Sequence, residues 1–278
     1  MVLGTGDWSD LCVSAAVLVS AVLLSEVIRR AAARLPRGAH QTYLLEAAST
    51  FQLCCCSHEL KLLGDHGGLD PLLGPVLTYS ISVTHLLTFA GASCNPCAAL
   101  ESVFRGSGSL AAAGGAIACQ FGAAVGAQLF ATCVWSLGLS DLHRGHRRFG
   151  FWCFDPLGGT LLEATAAELA CAFTFQAALM HVHSLNPKVR VHALAVLITI
   201  LVYSGGGISG AIFNPVLAFS VQFPCSGHTY LEYCFVYWLG PVLGVTSCIL
   251  LFEKIIPFLS GKSTVRPDVP LVQKQKVQ

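Results

Sequence analysis

Two short stretches hold the residues best placed to select what passes them. Gly91-Ala92-Ser93-Cys94-Asn95-Pro96 and Gly210-Ala211-Ile212-Phe213-Asn214-Pro215 share one pattern, GAxxNP, with the two Asn 119 residues apart. Asn is a strong helix N-cap, and Pro suits the first helical position because its missing N–H would go unpaired there. Each pair therefore predicts a helix start, Pro96 to about Phe104 and Pro215 to about Phe223. About nine residues at 1.5 Å each make roughly 13 Å, so two such segments end to end cover a ~30 Å hydrocarbon core. With the N-termini meeting at the middle, the centre is electropositive and two side-chain amides face it. Such a centre passes small neutral solutes and repels cations, hydronium included.

Upstream of each copy an apolar stretch holds one carboxylate, Glu46 lying 49 residues before Asn95 and Glu168 lying 46 before Asn214. A carboxylate at membrane depth is costly unless donors reach it. Other motifs carry less. Gly205-x-Gly207-x-x-Gly210 spells a dinucleotide fingerprint, but it follows an apolar stretch and lacks a βαβ unit. Cys94-x-x-Cys97 spells a redox pair, with Cys97 near a helix N-terminus that would stabilise a thiolate. A redox-active membrane protein using Cys94 and Cys97 is thus an alternative reading; the simpler one has Cys97 lining the pore. His181-x-His183 sits at a helix end beside a polar turn and reads as solvated. No catalytic residue, cofactor or metal site is read.

The elements that must position these residues follow from composition. Of 278 residues, 54% are hydrophobic and 11% charged, with mean hydropathy +0.66, where a soluble domain carries about 25% charge. The net charge of +1 gives no basic field for nucleic acid. The reading is an all-α polytopic membrane protein whose partner is the lipid bilayer. Seven stretches approach spanning length: Leu11 to Ile28, Thr42 to Leu63, Leu72 to Ala90, Leu110 to Leu137, Thr160 to His181, Val191 to Ser204 and Tyr230 to Ile256. The two Asn-Pro segments are too short to span and read as re-entrant. Most of the thirteen Cys lie in apolar runs and are expected free and buried, Cys12 and Cys133 among them. No removable signal peptide is read.

Three spans per half put the second half on the opposite side of the membrane from the first, so the repeats are inverted. The organisation is an N-terminal hydrophobic helix and basic linker (1–41), repeat one (42–137), repeat two (160–256) and a tail (257–278). The Leu139 to Gly159 connection reads as polar loop. Arg29, Arg30, Arg34, Arg37, Lys188, Arg190, Lys254 and Lys262 fall on one side by parity, taken as cytosolic; Arg144, Arg147 and Arg148 fall on the other and break the rule. Gly122-x-x-x-Gly126 and Gly240-x-x-x-Gly244 predict close helix crossings.

With these features in place, residues 42 to 256 resemble the aquaporin (major intrinsic protein) family. The motifs read Asn95-Pro96-Cys97 and Asn214-Pro215-Val216, where the family usually has Asn-Pro-Ala. Leu45-Glu46-Ala47-Ala48-Ser49-Thr50-Phe51 is similar to its first core helix and Tyr237-Trp238-Leu239-Gly240-Pro241 to its last. The Asn-Pro-Cys box, Phe51-Gln52-Leu53-Cys54-Cys55-Cys56 and Trp135-Ser136-Leu137-Gly138-Leu139 resemble the unorthodox "superaquaporin" branch. The resemblance implies a right-handed bundle of six transmembrane helices with two re-entrant half-helices, a homotetramer, and no chemistry on the solute. It also implies that Glu46 and Glu168 hold the re-entrant loops, and that Leu11 to Ile28 is extra to the core.

Carried over by spacing, the family's selectivity filter falls at Tyr79, Val202, Ala211 and Leu217, with Leu217 where orthodox members have Arg. An apolar neck tends to dewet, and losing the Arg widens it. The expectation is a passive channel for water, glycerol and hydrogen peroxide, against a non-conducting scaffold of the same fold. Cys225 is a candidate for pairing with Cys153, with Cys234 or across subunits. All three Asn precede Pro, so no N-glycosylation acceptor exists. The C-terminal Lys274-Gln275-Lys276-Val277-Gln278 resembles a dilysine retrieval signal, which together with the branch suggests the endoplasmic reticulum membrane with a cytosolic C-terminus.

Overall fold

The computed structural model describes residues 5–67 and 70–260, all of whose regular structure is helical. The tail from 261 onward, and with it the dilysine reading, lies outside the described residues. The helices are α1 (Thr5–Ala32), α2 (Ala39–His66), α3 (Leu73–Thr88), α4 (Pro96–Phe104), α5 (Leu110–Ser136), α6 (Asp141–Arg148), α7 (Leu161–His181), α8 (Pro187–Ser209) and α9 (Pro215–Val221). The last, α10, runs over Tyr230–Leu259.

Side-chain oxygens satisfy the first backbone N–H groups at most of these starts. Ser109 accepts from Ala112 N at 3.1 Å, Ser140 from His143 N at 3.1 Å and Asn186 from Lys188 N at 3.1 Å. Thr160 with Glu163 and Thr229 with Glu232 form reciprocal capping boxes at α7 and α10. Two wider π turns, Phe235–Leu239 and Leu251–Ile255, interrupt α10. Each lies just before a proline, Pro241 or Pro257, whose missing N–H breaks the i→i−4 ladder.

All seven expected spans are helices, and four of them (within α1, and α5, α8 and α10) are long and apolar enough by composition alone to cross a bilayer. α2 and α7 are diluted by polar residues turned inward, Glu46, Gln52 and Glu59 on α2 and Glu168 and Gln176 on α7, all buried. The Gly-rich end of α8 stays helical to Ser209, past the expected Ser204.

α2 packs on α5 and α7 on α10, while α3 against α8 joins the halves. The half-helices exchange sides. Val216 of α9 sits in the cluster of Cys54, Cys55, Cys56, Ala124 and Ala127 from the first half, and Cys97 of α4 sits against Ala172, Val245 and Ile249 from the second. Small residues allow the α7–α10 approach: a Cβ on Gly244 would lie 2.4 Å from the Leu169 carbonyl oxygen. At the other expected crossing, on α5, the glycines themselves make no close approach among the described residues: Gly122 has open space and Gly126 has only Phe51 at 3.8 Å.

The extra helix α1 runs antiparallel along α2 and is anchored at both ends by polar bonds. Ser14 Oγ donates to Glu59 at 2.6 Å, and buried Arg29 donates to Gln52 Oε1 at 2.8 Å.

The Leu139 to Gly159 connection is a correction, because it holds α6. Ser140 and Asp141 start this helix, but its eight residues hold a single large apolar side chain, Leu142, and leave no apolar stretch for a count of spans to find. It also explains the misplaced arginines. Arg147 Nη1 donates to the Ser136 carbonyl at 2.7 Å and Arg144 Nη1 to that of Gly138 at 3.0 Å, so both satisfy the C-terminal end of α5. Among the cysteines, Cys54, Cys55, Cys56, Cys171 and Cys248 are free and buried as expected, but Cys12 and Cys133 are exposed on outward helix faces. Cys225 pairs with Cys153.

Candidate pore centre

The two GAxxNP loops share a positive φ at two matching positions and differ at two others, where only Ala90 in the first and only Ala211 in the second are positive. Gly91 and Gly210 lie at φ +88° and +82°, and the residues before each Asn, Cys94 and Phe213, at +51° and +38°. The left-handed region favours Gly, which explains its place in the repeat. In each loop two successive backbone N–H groups point at one carboxylate. Glu46 accepts from Ser93 N at 2.8 Å and Cys94 N at 3.0 Å; Glu168 accepts from Ile212 N at 2.9 Å and Phe213 N at 2.5 Å. These are the same motif positions in each half. Charge-assisted bonds to otherwise unpaired N–H groups stabilise both partners away from water.

Each Asn works in two directions. Asn95 Oδ1 accepts from Cys97 N at 3.0 Å and Asn214 Oδ1 from Val216 N at 3.2 Å, capping α4 and α9. The amide nitrogens reach across: Asn95 Nδ2 donates to the Phe213 carbonyl at 3.4 Å and Asn214 Nδ2 to the Cys94 carbonyl at 2.8 Å. The two helix starts are thus tied tip to tip. An amide carries two N–H donors, so one on each Asn remains for a third partner.

Three residues that the motifs do not contain complete the frame. Gln120 Nε2 donates to Glu46 at 2.9 Å, Ser209 Oγ donates to Glu168 at 2.7 Å, and Tyr237 donates to the Ser209 carbonyl at 2.5 Å. Gln120 has a sequence signal, being one of two amides, with Gln128, among small apolar residues on a spanning helix. Ser209 has none.

The filter positions come from four places, α3, α8, the second Asn-Pro loop and α9. Ala211 is buried at φ +46° beside Cys171 and Leu201, while Val202 and Leu217 are half-buried. The Tyr79 hydroxyl lies 2.7 Å from His192 Nδ1, ten residues along α8 from Val202, or roughly 15 Å. Cys97 packs with Ala172, Val245 and Ile249 of α7 and α10, and Phe213 of the second loop lies against the same cluster. Cys94 and Cys97 are unpaired and only 1% and 3% exposed.

No protein-family model matches the chain. It is 38% identical to aquaporin-11 from Homo sapiens over 93% of its own length and 95% of that protein. The chain belongs to the aquaporin family. It is also 35% identical to aquaporin-12 from Mus musculus, over 90% of this chain and 88% of that one. Among solved structures it is similar to the aquaglyceroporin from Plasmodium falciparum, with a TM-score of 0.61 and 15% identity over 80% of this chain and 99% of that one. At that identity the likeness speaks for the fold. Family and fold together make this a multi-pass membrane channel protein.

Proposed function

We propose that the chain is a passive channel for water, glycerol and hydrogen peroxide, with the solute path crossing the paired Asn95 and Asn214. The observation that carries this reading is the tip-to-tip arrangement. Two capped half-helices direct their positive ends at one place, and each Asn keeps a donor for a passing hydroxyl oxygen. Cations meet that potential unfavourably; neutral solutes do not. Leu217, in place of the family's Arg, leaves exclusion of protons to the half-helices and widens the choice of solute. We assign the chain to the endoplasmic reticulum membrane as a homotetramer, with the α6 face luminal and the C-terminus cytosolic, in line with the Lys and Arg count and the terminal Lys pair.

Stopped-flow swelling of proteoliposomes holding the purified chain tests this, with each solute assayed separately. Flux above empty vesicles is expected, and Asn95→Asp with Asn214→Asp abolishes it by putting charge at the centre and removing the cross-loop donors. Absence of flux from folded protein would leave the non-conducting scaffold.

A further inference from the structure

We propose that α6 and the aromatic stretch behind it bind anionic phospholipid headgroups of the leaflet on the α6 face. The inference rests on how this corner continues the lipid-facing surface. Leu129, Cys133 and Leu137 stand at i, i+4 and i+8 along α5 and its end, and all three are exposed. Such a stripe on a spanning helix faces hydrocarbon. It leads into Leu139, also exposed, and then into Arg144, Arg147 and Arg148. Beyond them Phe149, Trp152 and Phe154 are 76%, 52% and 63% exposed, the last two with ring centroids 4.6 Å apart. Arginines and exposed aromatics just past the end of a lipid-facing stripe are the residue types of a bilayer interface.

The cations are held in place for this contact. Leu142, His143 and His146 form the buried face of α6; Leu142 packs on Leu62, Leu63, Ala131 and Trp135, and His143 Nε2 lies 2.9 Å from Glu59. The opposite face carries Asp141 and the three Arg. Arg144 bonds Asp141 at 2.6 Å and the Gly138 carbonyl, and Arg147 bonds the Ser136 carbonyl, so both guanidinium groups are fixed at the end of a spanning helix. Each guanidinium has five N–H donors, and those left over form the fork that suits a phosphate. Arg148 bonds no described side chain and is exposed. One Asp against three Arg leaves α6 cationic, which favours an anionic headgroup over a zwitterionic one on whichever face of the membrane it stands. The surface is independent of whether the pore conducts.

The test places p-benzoylphenylalanine at position 149 of the full chain, in nanodiscs of phosphatidylcholine alone or mixed with phosphatidylglycerol. After illumination, adducts are identified by mass spectrometry. Phospholipid adducts are expected, with phosphatidylglycerol over-represented relative to its share. Arg148→Gln should cut that excess about fivefold while phosphatidylcholine adducts persist and the protein elutes as before. Chain-to-chain crosslinks in place of lipid adducts would show that a second copy covers this face. No lipid adduct, or phosphatidylglycerol adducts only in proportion to its share, would equally overturn the proposal.

Discussion

Glu46 in the first half and Glu168 in the second each accept two backbone N–H groups from the loop ahead of an Asn-Pro, yet their remaining partners differ. Glu46 also accepts from Ser93 Oγ at 3.1 Å and from Gln120, whose Nε2 lies 3.1 Å from the same Ser93 oxygen. Among the described residues Glu168 has only Ser209 besides the loop, and Ser209 Oγ in turn accepts from Ala211 N at 3.1 Å. In both halves the N–H groups at the two positions before the Asn turn toward one carboxylate. The helpers vary because any buried donor serves. The second half is further tied to the α5–α7 connection by the Cys153–Cys225 disulfide and by Gly158 N donating to the Ile208 carbonyl at 3.1 Å. Those ties have no counterpart in the first half among the described residues.

The largest expected effect comes from removing the carboxylates. An unpaired buried donor costs roughly 1–3 kcal/mol, and Glu168→Ala leaves the N–H groups of Ile212 and Phe213 and the Ser209 hydroxyl without their acceptor. Glu46→Ala frees four donors, the N–H groups of Ser93 and Cys94, the Ser93 hydroxyl and a Gln120 N–H, but Ser93 Oγ and Gln120 Nε2 already lie 3.1 Å apart and keep each other, and the buried Gln120 Oε1 is a spare acceptor. Glu168→Ala should therefore lower the thermal unfolding midpoint in detergent more than Glu46→Ala. Equal losses would mean that Gln120 gives the first half no reserve.

Next in size is the disulfide, which closes 72 residues of sequence. Loss of such a link costs about 2–4 kcal/mol. Cys153→Ser and Cys225→Ser should lower stability equally, and the double variant should lose no more than either alone, because the second change removes nothing further. A double variant clearly worse than both singles would point to a separate role for one thiol.

Much of this comparison was legible in the sequence, and what escaped it has physical causes. Helix starts at Asn95-Pro96 and Asn214-Pro215 could be placed to the residue, because N-cap and first-turn chemistry are local. The carboxylates stood out as charges in apolar stretches. α6 was missed because a short polar helix has no apolar period. The packing of Cys97 and the Tyr79–His192 pairing depend on how helices rotate against one another, which spacing within one chain does not determine. The Cys153–Cys225 choice likewise needed the α5–α7 connection folded back over α9. Family spacing placed Val202, Ala211 and Leu217 near the second tip, but a filter is a ring, and a ring is set by packing between the halves.

The smallest effect is expected where the seat of α9 meets the solution on the α6 face. A cavity of about 220 Å³ there is lined by His58, Lys61, Asp65, His66, Trp135, His146 and, from the α9 end, Val221 and Pro224. His146 stacks edge-on against Trp135 at 4.8 Å, near His66 at 5.9 Å. Burial first, and then His66 and His143, hold the His146 imidazole below its ordinary 6.5, with Asp65 and Glu59 acting the other way. A histidine whose folded pKa is depressed binds its proton more readily when unfolded, so its share of stability is complete above about 6.5 and is lost as pH falls below that. Acidification from about pH 7.5 to about 5.5 should therefore lower the hydrogen-exchange protection factors of residues 215–225, with the intrinsic pH dependence of exchange divided out, and leave those of 96–104 unchanged, since α4 has no such neighbour among the described residues. His146→Phe keeps the ring packing without the titration and should remove most of the difference. If both half-helices loosen together, or if the Phe variant behaves like the parent, the acid sensitivity lies elsewhere and the two seats are alike in this respect.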